Sequence, residues 1–147
     1  MKKILIIIIA VSFGLSCDKE DDQPLDLEGK WQEQTDFREG YFEGHSRAYT
    51  FQCNSFFLTI TSFTDVIHPY DSCIIPNWKE YATGSYTLSD NVLELDGFYT
   101  DSLFNQKTSG CFNIGEFKNR FSVDFDGQFL KLTSVNQTDE MKFLKEE

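Results

Sequence analysis

From Leu27 onward, apolar and polar residues alternate in short runs broken by turn residues, and no window sustains a helical period. A period of two puts successive side chains on opposite faces, so such runs can fold only as strands with one buried face. Candidate strands run over Gly29–Phe37 (Trp31, Thr35 and Phe37 on one face), Arg47–Cys53, Phe56–Phe63, Trp78–Leu88 and Val92–Tyr99. A short one is expected over Leu103–Thr108, and others over Asn119–Phe125, Gln128–Val135 and Met141–Leu144. Asn54-Ser55, Ser89-Asp90-Asn91 and Asp126-Gly127 read as tight turns, because Asn, Asp and Gly tolerate the left-handed backbone that hairpins need. Residues 64 to 77, with Pro69 and Pro76, read as a long loop. The expected fold is all-β: an antiparallel up-and-down β-barrel of about eight or nine strands, since a meander of that length removes its edges by closing. A barrel of about eight strands can hold one small ligand.

The N-terminus carries a different signal. Met1-Lys2-Lys3 precedes the unbroken apolar run Ile4 to Val11, and Ser12-Phe13-Gly14-Leu15-Ser16 follows with small residues. A basic start, an apolar stretch and a small-residue exit make a secretory signal peptide, and the run is shorter than the roughly 20 residues a membrane-spanning helix needs. The expected organisation is a signal peptide over 1–16, a tether over 17–26 and one barrel domain over 27–147. Removing 1–16 takes Lys2 and Lys3 with it, so 13 basic side chains fall to 11 against 24 acidic ones, a balance of -13 on 131 residues. Such a chain shows no basic stripe, which argues against nucleic acid as a partner.

Little in the sequence points to catalysis. The Gly-x-Ser-x-Gly elbow is missing, and Gly84-Ser85-Tyr86 lies inside an expected strand. Phosphate-cradling glycine loops and the Cys-x2-Cys or His-x3-His spacings of metal sites are missing too. His45 and His68 stand in polar stretches and read as solvated loop histidines. No enzyme activity, cofactor or metal is therefore expected. An exported chain can keep disulfides, and Cys73 with Cys111 is the expected pair because both sit in loop-like stretches, with Cys53 left over. The rings are the most distinctive feature. Trp31, Tyr49, Phe51, Leu58, Tyr86, Phe121 and Phe125 fall on alternating positions, and either fill the barrel or line a cavity for a small hydrophobic ligand. Phe56, Phe57 and Phe63 cannot all share one face, and Tyr41-Phe42 reads as a gate or a partner contact.

Gly14-Leu15-Ser16-Cys17 resembles a bacterial lipobox, with Gly14 where leucine is usual. The acidic Cys17-Asp18-Lys19-Glu20-Asp21-Asp22 resembles the export signal of Bacteroidetes surface lipoproteins. This resemblance implies lipidation at Cys17, membrane attachment through that anchor, and an outer-membrane location exposed at the cell surface, with the periplasmic face as the other choice. Leu27-Glu28-Gly29-Lys30-Trp31 resembles the Gly-x-Trp opening of lipocalins and of lipocalin-like lipoproteins of the same bacteria. Tyr49-Thr50-Phe51, the stretch 82–95, Phe129-Leu130-Lys131-Leu132 and Met141-Lys142-Phe143-Leu144-Lys145 follow the same hairpin pattern. The mid-chain Thr-Asp-Tyr motif and a C-terminal arginine to stack on Trp31 are missing, so no ligand site is carried over. The resemblance implies a carrier of a small hydrophobic ligand. A solidly packed barrel that contacts another envelope protein is the other reading. Asp101-Ser102-Leu103 resembles the O-glycosylation signal of exported proteins in these bacteria, which would place a glycan on Ser102.

Overall fold

A computed structural model describes residues 26–35, 43–64, 73, 77–135 and 139–146. Residues 1–25, which hold the expected signal peptide, Cys17 and all but the last residue of the expected tether, lie outside the described residues, as do Tyr41-Phe42 and His68. The described chain is a closed barrel of eight antiparallel strands: β1 (Gly29–Glu33), β2 (Glu43–Gln52), β3 (Ser55–Thr64), β4 (Trp78–Ser89), β5 (Val92–Thr100), β6 (Glu116–Phe125), β7 (Phe129–Ser134) and β8 (Glu140–Glu146). Each strand pairs with the next in sequence, and β1 closes on β8 with Trp31 opposite Lys145 and Glu33 opposite Phe143. Closure leaves no unpaired edge, which is the physical reason a meander of this length settles here.

Alternation decides what lies inside. Trp31, Tyr49, Phe51, Phe56, Leu58, Leu93, Leu95, Leu130, Leu132 and Phe143 are almost wholly buried. Each such side chain contributes about 1.5–3 kcal/mol relative to exposure. The outward positions between them are polar: Glu94 and Asp96 on β5, and Lys118, Arg120, Ser122 and Asp124 on β6, are exposed. An apolar interior with a polar exterior is the reverse of a lipid-embedded barrel. The doubled rings split as their parity requires: Phe56 is buried, while Phe57 stands outside, edge-on to Phe104 at 5.2 Å.

Several local expectations change. The first hairpin turns on Cys53-Asn54, one residue before the expected pair, because Cys53 takes the left-handed backbone (φ 54°) and Ser55 already pairs with Gln52. At Asp90-Asn91 both residues are left-handed (φ 52° and 60°), the geometry that matches strand twist. No strand forms over Leu103–Thr108. One carboxylate oxygen of Asp101 accepts from the backbone N–H of Leu103 (2.8 Å) and of Asn105 (2.9 Å), which curls the chain and leaves a single bridge, Thr100 to Gln106. β2 starts at Glu43 rather than Arg47, so His45 belongs to a strand and not to a loop. β1 ends at Glu33.

The disulfide Cys73–Cys111 joins residues 38 apart, with Cα atoms 5.4 Å from each other. It pins the β5–β6 connection beside the start of β4, where Trp78 stacks on Phe112 at 5.3 Å.

A cavity at the open end of the barrel

The two ends of the barrel differ because their connections differ. At one end the chain turns within two or three residues, at 53–54, 90–91 and 126–128. The first two turns are tied to neighbouring strands by Tyr86 N–H to Asn54 O (2.9 Å) and Val123 N–H to Asn91 O (2.8 Å). Rings fill this half. Phe51 meets Tyr86 edge-on at 5.0 Å and stacks on Tyr49 at 5.5 Å. Trp31 donates from Nε1 to the Leu27 carbonyl (2.8 Å) and meets the edge of Phe125 at 5.9 Å. Among the described residues no arginine covers Trp31; Lys145 stands over the ring instead, with its Nζ 5.4 Å from the ring centre.

The other end receives the ends of β1, β3, β5 and β7 and the starts of their partners. Here the interior is not filled, and a cavity of about 520 Å³ opens outward. That volume falls within the range of small-molecule sites. Its floor is apolar, made by Tyr49, Leu58, Ile60, Phe117, Phe121 and Met141, with Tyr99 on the wall. Its polar lining comprises Glu33, His45, Arg47, Asn119, Ser134, Asp139 and Glu140.

The order within that lining follows from β1 and β2. Glu33 continues the inward face of Trp31, and Arg47 and His45 continue the inward face of Tyr49 and Phe51. The Arg47 guanidinium donates from Nη1 to both Glu33 oxygens (3.1 and 3.3 Å), and the Arg47 backbone N–H donates to Glu33 Oε2 (2.8 Å). Nη2 lies 2.8 Å from His45 Nε2. Arginine has no acceptor, so Nε2 accepts and the ring proton sits on Nδ1. Partial burial, reinforced by the Arg47 charge, lowers the His45 pKa and keeps the ring neutral. Burial, with smaller contributions from Glu33 and Tyr99 opposed by Arg47, pushes the Tyr49 phenol far up. Burial and then the Glu80 carboxylate raise Tyr99.

Of the side chains expected to line a ligand site, Tyr49, Leu58 and Phe121 border the cavity. Trp31, Phe51 and Tyr86 pack the closed half, and Phe125 stands 36% exposed at that end. They are separated by depth along the barrel, which alternation does not encode. The polar members escaped notice although they carry a readable signal: a charged residue in inward register with buried rings. His45 in particular is a strand residue rather than a loop residue, still exposed, and part of this hydrogen-bond chain. Ser102 is exposed on the Asp101 turn. Among the described residues, no group of three or more His, Cys, Asp or Glu side chains is arranged to hold a metal.

Fold and site together define an eight-stranded up-and-down barrel with one packed end and one open, polar-rimmed cavity. No protein-family model, no characterised protein and no solved structure matches the chain.

Proposed function

We propose that this chain is a lipocalin-like binding module, exported, anchored through lipid on Cys17, and carrying a small amphipathic ligand in the open-end cavity without chemical conversion. The observation that carries the reading is the cavity of about 520 Å³, an apolar floor beneath a hydrogen-bonding rim, left by a barrel that is otherwise densely filled. It favours a carrier over a solid barrel whose role is only to contact an envelope protein. The polar rim sharpens the expected hydrophobic ligand into one with an apolar body and a polar head. The Cys73–Cys111 disulfide supports an oxidising, extracytoplasmic address. The lipobox-like Cys17 and its acidic tether support attachment to the outer membrane, facing the cell exterior.

The neutral fluorescent probe N-phenyl-1-naphthylamine tests the binding reading. Its emission rises with the native protein and stays low with Met141→Trp, which fills the cavity from a half-buried position. A native protein that leaves the probe dark, or a probe indifferent to Met141→Trp in a protein that still melts cooperatively, refutes it. Attachment is tested in cells by Cys17→Ala, expected to move the protein from the membrane to the soluble fraction; unchanged membrane retention counts against the anchor.

A further inference from the structure

The cavity floor carries a polar atom that the barrel leaves unmatched. Tyr49 is 2% exposed, and packing fixes its ring, which stacks on Phe51 at 5.5 Å and meets Phe143 edge-on at 5.5 Å. Its hydroxyl has no hydrogen-bond partner among the described residues. Glu33 and Arg47, whose charges reach it, are engaged with each other. Two other buried polar atoms lack partners, Trp78 Nε1 and Thr100 Oγ1, and both are sealed inside the protein. The Tyr49 hydroxyl differs from them: it opens on the cavity that Tyr49 lines.

Its surroundings give that difference consequences for binding. Leu58, Ile60, Phe117, Phe121 and Met141 share the floor. Among such side chains, a hydroxyl shut away from water without a partner costs free energy. Burial also keeps the proton on the oxygen, so Tyr49 presents an O–H donor to whatever enters. A body with no acceptor at that depth covers the hydroxyl and leaves it unpaired, whereas one with an acceptor pairs it. Sites built to pair a buried polar group reject analogues that lack the matching group.

We propose that the cavity selects ligands with an acceptor oxygen of carbonyl type on the apolar part that reaches the floor, where the Tyr49 O–H donates to it. This rests on the binding reading above and adds the chemical group that the floor recognises.

Displacement of N-phenyl-1-naphthylamine by benzophenone and by diphenylmethane tests it, since the two share their rings and differ by one carbonyl. Tyr49→Phe removes the hydroxyl and keeps the ring. The preference for benzophenone over diphenylmethane is expected to fall about tenfold from the native protein to Tyr49→Phe, the effect of one lost hydrogen bond in a dry site. A preference that Tyr49→Phe leaves unchanged, or a benzophenone that displaces no probe, overturns the acceptor assignment while probe binding still upholds the carrier reading. The isotope-edited infrared spectrum of bound benzophenone decides independently, even if Tyr49→Phe fails to fold. Its carbonyl stretch is expected below the position it takes in a hydrocarbon solvent, and a stretch at the hydrocarbon position overturns the assignment. Failure of the probe itself to bind removes the carrier reading and this inference together.

Discussion

Replacing Gly84 with alanine probes how the barrel wall closes between β4 and β5. Gly84 pairs with Gly97 across the ladder. A Cβ on Gly84 would lie 2.1 Å from the Asp96 carbonyl oxygen and 2.5 Å from the Gly97 Cα. A Cβ on Gly97 would lie 2.0 Å from the Thr83 carbonyl oxygen. These obstacles are backbone atoms, so no rotamer relieves them. Ordinary contact begins at 3.4 Å, so the strands must part by about 1.3 Å for the methyl group to fit. That stretches the adjacent ladder hydrogen bonds beyond useful length, at about 1 kcal/mol for each of two bonds. Overpacking adds about 1–3 kcal/mol. The lower entropy of an alanine-containing unfolded chain offsets about 1 kcal/mol of this. The net expectation is a loss of about 3 kcal/mol, read as a lower urea midpoint at an unchanged denaturant slope. Gly127→Ala is the control. Gly127 has open space around it but a backbone at φ +88°, so only conformational strain applies, about 1 kcal/mol. If Gly84→Ala costs no more than Gly127→Ala, the close approach of β4 and β5 is not what requires glycine, and the reasoning fails.

Reducing Cys73–Cys111, or changing the pair to serine, opens a loop of 38 residues and should cost up to about 4 kcal/mol in the loop-closure view. Thermal melts with and without the pair check it, and an unchanged melting temperature would show that the β5–β6 connection is held by its other contacts. Tyr49 sets an alkaline limit. Its folded pKa lies above the unfolded value of 10.0, so its contribution is complete below pH 10 and is lost as pH rises above it, because the unfolded chain then releases a proton that the barrel retains. Urea midpoints taken from pH 8 to 11 should fall above 10, and Tyr49→Phe should flatten that fall; an equal fall in both proteins would assign the alkaline loss to other groups.

Alternation along residues 27–146 determined strands, their inward faces and a closed meander, because period-two patterning is local and one-sided burial permits few other solutions. The pairing of Cys73 with Cys111 was legible too, from loop-like surroundings. Local backbone chemistry was less so. The Asp101 carboxylate capturing two N–H groups overrode the alternation of 103–108, and Cys53 took a left-handed position that its neighbour Asn54 was better suited to fill. Depth along the barrel was not legible at all. Trp31 and Glu33 share one strand face, yet the first packs under Lys145 at the closed end and the second bridges Arg47 in the cavity. Alternation tells a side chain that it points inward. Which inward side chains meet, and whether they fill the space between them, depends on register between strands and on which end is closed by short turns. Only the tertiary structure decided that, and with it the cavity and the charge around it.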